Sequence, residues 1–133
     1  MNENKSLGIG VEFMKNELFM AVDLGTSFIK IGVYSKDGDF LAGASESVAE
    51  ERPAPGVFLQ RGDALFGSVL RCIRKTTAQL KDDASRICAM AFTGQMAGSI
   101  GVDENWQDVT TWSCSLDNRY IPYAERQRRD HAD

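Results

Sequence analysis

The segment Met20-Ala-Val-Asp-Leu-Gly-Thr-Ser-Phe-Ile-Lys-Ile-Gly-Val33 places a carboxylate and a short polar turn between two apolar runs. Residues 18–22 are all apolar and lead directly into Asp23, which predicts a buried strand with a carboxylate at its C-terminal end. After the turn, apolar residues alternate with other residues over positions 29–33, which predicts a second strand. The segment therefore predicts a β-hairpin with Asp23 beside its turn.

The turn itself, Gly25-Thr26-Ser27, has the composition of an anion-binding turn. Glycine adopts backbone angles that other residues avoid, so the turn can aim successive N–H groups at an anion, and the two hydroxyls add donors. Lys30 can reach the same anion as a flexible point charge. Asp23 can hold a hydrated Mg²⁺ that neutralises a phosphate. Asp-x-Gly alone is typical of any turn, but the added residues favour a phosphate-binding hairpin that is not a P-loop.

The pattern Asp23-Leu-Gly-Thr-Ser-x-x-Lys30 resembles the first phosphate motif of the actin, hexokinase and heat-shock chaperone superfamily, and within it the FGGY carbohydrate kinases. The resemblance implies an α/β fold with the mixed sheet of the actin-like, ribonuclease H-like ATPases, here as an incomplete N-terminal lobe. It also implies ATP and Mg²⁺ as cofactors. It assigns the ATP phosphates to Gly25, Thr26, Ser27 and Lys30, and a Mg²⁺ held through water to Asp23.

Beyond the hairpin, the chain predicts a third strand, a helix and further extended segments. An Asp-Gly pair at 37–38 is typical of a hairpin turn, after which residues 40–48 return as a strand. Apolar residues at spacings of three and four predict an amphipathic helix from Asp63, its expected N-cap. The expected buried face of this helix consists of Phe66, Val69, Leu70, Ile73, Thr77 and Leu80. Residues 87–92 predict a buried strand, and residues 99–102 predict another.

Two later segments resemble the sugar-binding parts of FGGY kinases. Gly94-Gln95-Met96 follows a predicted strand, as a Gly-Gln-Met-His-Gly loop does in xylulokinase-like members, but Ala97 replaces the histidine. Loss of the imidazole is expected to remove a contact to a sugar hydroxyl or to widen the pocket. Asp117-Asn-Arg119 resembles the end of the family's Trp-x-Asp-x-Arg segment. The resemblance assigns substrate binding to Gln95, Met96, Ala97, Asp117 and Arg119.

These substrate assignments have structural alternatives. A Gln-Met pair is typical of a polar loop residue next to a core-filling thioether. Asp117 and Arg119 are equally typical of a helix start, where aspartate is favoured near the positive end of the dipole. Ser115 stands at the aligned aromatic position, and Trp112, three residues earlier, is either a displaced aromatic or an ordinary core residue.

The length of 133 residues is about half of what the first domain of an FGGY kinase needs. We divide the chain into an N-terminal extension at 1–17 and a truncated kinase domain at 18–133. In the family the catalytic Asp takes the proton from the sugar hydroxyl, and we expect this base beyond Asp133. The expected function is ATP-dependent transfer of the γ-phosphate to a pentulose or related sugar by the full-length protein, with the isolated chain inactive.

Two other classes of protein fit parts of the sequence. An actin-like or chaperone-like ATPase lobe would share the Asp23 motif but has no need of the Gly-Gln-Met and Asp-x-Arg segments. A non-catalytic remnant of the fold would bind a partner through an exposed sheet edge.

The composition indicates a cytoplasmic protein piece that binds neither nucleic acid nor membrane. A formal net charge of −4 and a pI near 5.0 argue against a nucleic-acid footprint, and the arginines at 126–129 fit a solvated helix face. No segment is typical of a transmembrane helix or a secretory signal. The expected partners are a sugar or polyol and the remainder of the kinase chain, and a homo-oligomer is compatible with the sequence.

The cysteines and the single histidine carry no predicted chemistry. Cys72, Cys88 and Cys114 lack metal-type spacing and are predicted to be reduced, buried thiols. His131 is close to the C-terminal end of the sequence and is predicted to be exposed rather than catalytic.

Overall fold

A mixed four-stranded sheet forms the centre of the molecule, which a computed structural model describes over residues 17–131. Its strands are β1 (Leu18–Leu24), β2 (Phe28–Ser35), β3 (Phe40–Ser47) and β5 (Ile87–Gly94), in the order β3-β2-β1-β5. The first three strands pair antiparallel, and β5 pairs parallel to β1. The predicted hairpin and the predicted mixed sheet are confirmed, whereas the predicted extension at 1–17 lies outside the described residues except for its last position.

The remaining elements connect and flank this sheet. Helix α1 (Gly62–Leu80) continues through a 3-10 helix at Lys81–Arg86 into β5. A short strand β4 (Leu59–Gln60) pairs antiparallel with β6 (Trp112–Ser113). The described chain ends in a 3-10 helix followed by α2 (Ile121–Asp130), which agrees with the predicted helical tail. Between residues 17 and 131, no helix combines the length and apolar character that crossing a bilayer requires.

One face of the sheet carries the hydrophobic core, because successive side chains of a strand point to opposite faces. The register places Val22 opposite Ile31, and Ile31 opposite Ala44, so alternate residues of three strands share the inner face. Six inner-face side chains are at most 4% exposed: Leu18, Met20, Val22, Ile29, Ile31 and Val33. Helix α1 packs on this face and contributes Val69 and Cys72 to the core.

The predicted buried face of α1 is wrong in part. Val69 is buried as predicted, but Phe66 is 62% exposed, and the other buried helical residues are Ser68, Cys72 and Thr76. These small residues recur every four positions and let the helix approach the sheet closely. A search for apolar residues at helical spacing does not identify such a face. The N-cap position belongs to Arg61, and Asp63 lies in the first turn of the helix.

The prediction that β5 is buried is also wrong for this chain. Met90 and Phe92 share the inner face with their β1 neighbours but are 44% and 63% exposed. Helix α1 packs on β2 and β3 and does not cover β5, which is an edge strand among the described residues. Cys88 on the same strand is exposed, contrary to prediction, whereas Cys72 and Cys114 are buried. All three are free thiols within residues 17–131.

The predicted strand at 99–102 does not form as a regular element. The segment makes isolated bridges, Ser99 with Ser113 and Val102 with Asp108, on either side of Gly101. Thr110 contacts Gly101 twice: its amide donates to the Gly101 carbonyl at 3.4 Å, and its hydroxyl accepts from the Gly101 amide at 2.7 Å. The segment is therefore a bridged loop rather than part of the main sheet.

A charged cluster ties β3 to helix α1. The Glu46 carboxylate lies 2.6 Å from Arg71 Nη2 and 3.3 Å from Lys75 Nζ, and its side chain is only 19% exposed. The hydrogen bond from Arg71 lowers the pKa of Glu46 from 4.5 to about 2. Glu46 therefore stays ionised in the folded chain over a pH range in which an unfolded glutamate takes up a proton.

We predict that the core is sensitive to truncation at Ile29 and insensitive at Phe66. Ile29 is fully buried, so Ile29→Ala should lower the free energy of unfolding by about 2–5 kcal/mol through lost burial and a residual cavity. Phe66→Ala, on the exposed side of α1, should change it by less than about 0.5 kcal/mol. Urea unfolding followed by circular dichroism measures both. Equal effects of the two substitutions would contradict the observed packing of α1.

We also predict a specific acid sensitivity at Glu46. Because its folded pKa is depressed, its stabilising contribution is complete above pH 4.5 and is lost as the pH falls from 4.5 towards 2. Glu46→Gln should lower the urea midpoint at pH 7. Between pH 5 and about pH 2.5 the midpoint of this variant should then fall less than that of the wild-type chain. Glu125→Gln on the exposed surface of α2 is the control. If the urea midpoints of the wild type and Glu46→Gln changed in parallel with pH, the prediction would be refuted.

Candidate functional site

Asp23 and Lys30 lie directly opposite each other in the register of the β1–β2 hairpin. On its other side, Asp23 is paired with Thr93 of β5. All three line a shallow cavity of about 350 Å³ on the face of the sheet opposite the core. Asp23 is half-buried and Lys30 is exposed, and within residues 17–131 neither side chain makes an ion pair or hydrogen bond. Both charged groups are therefore available to a ligand at this face.

The turn between these strands closes on Gly25, which does not have a positive φ angle. The positive φ angles among described glycines belong to Gly38 and Gly56. A Cβ at Gly25 would instead lie 2.6 Å from the Phe28 carbonyl oxygen and 3.9 Å from Asp23 Oδ2. Glycine is required here because the backbone approaches itself closely, and the approach brings the Asp23 carboxylate beside the turn.

Three hydrogen bonds connect the turn to three different segments of the chain. The Val48 amide donates to the Ser27 carbonyl at 3.0 Å, and Gln60 Nε2 donates to the Thr26 carbonyl at 2.8 Å. The Thr26 hydroxyl donates to Gln95 Oε1 at 3.2 Å. The hydroxyl of Thr26, predicted as a phosphate donor, is thus already engaged, whereas Ser27 is exposed.

Gln95 connects the Gly25-Thr26-Ser27 turn to the loop that follows β5. Its backbone amide donates to the Leu24 carbonyl at 2.9 Å and extends the pairing of β1 with β5. Its side chain accepts from Thr26 and donates to Gln60 Oε1 at 2.9 Å. Sequence reasoning did not single out Gln60, because a glutamine after three apolar residues gives no sign that its amide is buried.

The loop beyond Gln95 consists of an exposed methionine followed by two small residues, Ala97 and Gly98. Met96 is 83% exposed and does not fill the core, and Ala97 has a left-handed φ of 58°. A Cβ at Gly98 would overlap the indole of Trp112, so the glycine makes room for that ring. Trp112 is half-buried in β6, and its Nε1 has no hydrogen-bond partner within residues 17–131. Trp112 thus packs against the loop as a structural residue.

Ala97, Asp117 and Arg119 line one cleft of about 870 Å³. Ser115 also lines it, together with the aromatic rings of Tyr120 and Tyr123. Three predicted substrate residues are therefore brought together, whereas the Gln95 side-chain amide contacts the Thr26 hydroxyl and Met96 faces solvent. The cleft offers hydroxyl, guanidinium and aromatic groups, which is a lining that suits a small polyhydroxylated ligand.

Asp117 and Arg119 form a bidentate pair at the edge of this cleft. Arg119 Nε lies 2.9 Å and 3.0 Å from the two carboxylate oxygens of Asp117, and Arg119 Nη2 contacts the second oxygen as well. Asp117 is 4% exposed and also caps the 3-10 helix Asn118–Tyr120 by accepting from the Arg119 amide at 3.1 Å. The structural role suggested for this pair is therefore observed, and the pair also lines the cleft.

The pairing fixes the charge states of both groups. The hydrogen bonds from Arg119 hold the pKa of Asp117 below its usual range, and Asp117 in turn raises the pKa of Arg119. A carboxylate with a low pKa is a weak base at neutral pH. Asp117 is thus suited to orienting the guanidinium and poorly suited to removing a proton from a hydroxyl.

The residues at the hairpin fit a weakly coordinated magnesium ion. Within residues 17–131 no group of three or more His, Cys, Asp or Glu side chains forms a metal cage. Mg²⁺ commonly keeps several waters and binds through one or two carboxylates plus substrate phosphates. The single unpaired carboxylate of Asp23 beside the turn satisfies that requirement.

Three proteins named as kinases of sugars or sugar acids are similar to this chain in sequence or in fold. A xylulose kinase of Staphylococcus epidermidis is 28% identical over 92 residues, which cover 69% of this chain and 18% of that protein. The solved structure of a xyloylose kinase from Brucella ovis matches with a TM-score of 0.82 and 22% identity, over 87% of this chain and 24% of that chain. The gluconate kinase of Lactobacillus acidophilus matches with a TM-score of 0.79 and 19% identity, over 86% and 23%.

These structures confirm the predicted actin-like fold, and the chain spans no more than 24% of the length of the three relatives. The family model for the N-terminal domain of the FGGY carbohydrate kinases matches residues 18–132. The resemblance found in the Asp23 motif is thereby confirmed. The chain belongs to the FGGY family of carbohydrate kinases.

Proposed function

We propose that the complete protein transfers the γ-phosphate of ATP to a hydroxyl group of a sugar or polyol, and that it acts in the cytoplasm. The observation that carries the proposal is the pair of unengaged charges, Asp23 and Lys30, which face each other beside the Gly25 turn. The same turn is hydrogen-bonded through Gln95 to the loop that lines the cleft together with Asp117 and Arg119. A phosphate site and a sugar site joined in this way suit a kinase better than a module that only binds a partner.

In this proposal the hairpin holds the phosphates. Gly25 allows close approach of the backbone, while the exposed Ser27 hydroxyl and the Lys30 ammonium group supply donors to phosphate oxygens. Asp23 would hold Mg²⁺ through water, and the ion, when bound, neutralises phosphate charge. The contribution of these residues is positioning and charge stabilisation, which dominate catalysis of phosphoryl transfer.

The cleft would bind the acceptor sugar. Arg119 is held by Asp117 and still has N–H groups that can donate to sugar hydroxyls. Ala97 presents only a methyl group, so the pocket is wider at this point than one with a larger side chain. Gln95 and Met96 would act from the same loop, with Gln95 setting the position of the loop relative to the turn. The relatives named as xylulose kinases make a ketopentose the first sugar to test.

The remaining catalytic groups would come from the rest of the protein. No described carboxylate lies in the cleft with a pKa raised towards neutrality, since Asp117 is shifted in the opposite direction. We therefore place the base that accepts the hydroxyl proton, and most of the adenine pocket, outside this chain. Closure of a second domain would exclude water and limit hydrolysis of ATP. The isolated chain should accordingly be inactive.

The decisive test is steady-state kinetics on the complete protein with a panel of pentuloses, hexuloses and polyols, measured as sugar-dependent formation of ADP. Asp23→Ala should lower kcat by about 100-fold or more, because it removes charge positioning in the transition state. Asp37→Ala, in the next hairpin turn, removes an exposed carboxylate that pairs with Lys36 and should leave kcat unchanged. Arg119→Ala should raise the KM for the sugar more than the KM for ATP.

Two results would overturn the proposal. Sugar-independent ATP hydrolysis would indicate an actin-like or chaperone-like ATPase. Absence of both ATP and sugar binding would indicate a partner-binding remnant of the fold. Sugar-dependent turnover by the isolated 133-residue chain would contradict only the assignment of the base to the rest of the protein.

A further inference from the structure

A buried glutamine lies between the Gly25-Thr26-Ser27 turn and the loop from Gln95 to Gly98. Gln60 is 1% exposed and ranks among the largest fully buried side chains of the chain. A primary amide loses its hydrogen bonds to water when it is buried, so an apolar side chain of similar size would pack at lower cost unless the amide has partners. The side chain of Gln60 has two partners, one in each of the segments on either side of it.

Gln60, Gln95 and Thr26 form a closed ring of hydrogen bonds whose orientation is fixed by one group. The Thr26 carbonyl can only accept, so Gln60 must turn its nitrogen towards it, at 2.8 Å. The Gln60 oxygen then faces the nitrogen of Gln95 at 2.9 Å, and the Gln95 oxygen faces the Thr26 hydroxyl at 3.2 Å. Reversal of either amide would oppose like groups, so the ring specifies a single arrangement.

The ring is supported from the side of Gln60. Gln60 belongs to β4, is paired with Trp112 of β6, and lies two residues before the start of helix α1 at Gly62. Thr26 and Gln95, by contrast, lie in a turn and in a loop outside the strands. The regular elements around Gln60 therefore hold its amide in place, and the amide holds the two irregular segments together.

We propose that Gln60 is a positioning residue of the phosphotransfer reaction, which sets the placement of the Gly25-Thr26-Ser27 turn relative to the loop from Gln95 to Gly98. The inference rests on the proposed function, since the turn would carry the transferring phosphate and the loop would carry the sugar. Phosphoryl transfer requires the acceptor hydroxyl to lie in line with the phosphate, and small misplacements cause large losses in rate. Gln60 touches neither reactant and acts through Thr26 and Gln95.

The test compares two apolar substitutions with a matched control in the complete protein. Gln60→Leu and Gln60→Met keep most of the side-chain volume but remove both hydrogen bonds, and should lower kcat about 10- to 100-fold while changing the KM values for ATP and sugar less than threefold. Thr76→Val is the control, because Thr76 is equally buried and loses its bond to the Cys72 carbonyl. The control should lower thermal stability and leave kcat unchanged.

Two further measurements separate positioning from a general loss of structure. The double substitution Gln60→Leu with Gln95→Leu should be no slower than the slower single variant, because either change opens the same ring. Amide hydrogen exchange should accelerate at residues 25–27 and 95–98 in both Gln60 variants and not in Thr76→Val. Unchanged kcat in the Gln60 variants, multiplicative effects in the double variant, or unchanged exchange would overturn the inference.

The exchange experiment also distinguishes this inference from the proposed function. If the wild-type protein phosphorylates no sugar, the proposed function fails. The exchange rates still decide whether Gln60 holds the turn and the loop together, and unchanged rates in both Gln60 variants would exclude it.

Discussion

The antiparallel register between β1 and β2 determines both which side chains form the core and which charged groups face the site. It places Ile29, Ile31 and Val33 on the face that α1 covers, and by the same alternation it places Asp23 and Lys30 on the opposite face. A slip of one residue in β2 would bury Lys30 and expose Ile31. Burial of the apolar face therefore fixes the position of the charges, and the stability of the hairpin and the geometry of the site have one origin.

The sequence was sufficient to predict the structure of those segments in which one local pattern determines one local structure. Both strands of the hairpin and the carboxylate at its turn follow from a continuous apolar run and a period of two. The face of α1 was predicted less well, because Ser68, Cys72 and Thr76 are buried for their small size rather than for apolar character. Gln60 could not be predicted, since its burial depends on pairing with Trp112, more than fifty residues away along the chain.

The two halves of the candidate site differ in how closely the fold determines them. The part that we propose holds the phosphates is built into the hairpin, whose register and turn fix the positions of Asp23 and Lys30. The cleft, which we propose binds the sugar, depends on a few side chains of the loop after β5 and of a 3-10 helix, among them Ala97 and Arg119. Related structures with this fold carry the names of a xyloylose kinase and of a gluconate kinase, so the fold alone does not identify an acceptor.

Phosphorus NMR of the products that the complete protein forms from ATP, Mg²⁺ and a ketopentose distinguishes a sugar kinase from an ATPase. We expect a sugar phosphate ester that appears in equal amount to ADP, with little inorganic phosphate, because a hairpin that holds the phosphate beside a sugar cleft directs transfer to the sugar. Inorganic phosphate as the sole phosphorylated product besides ADP would contradict the account and identify the hairpin as part of an ATPase.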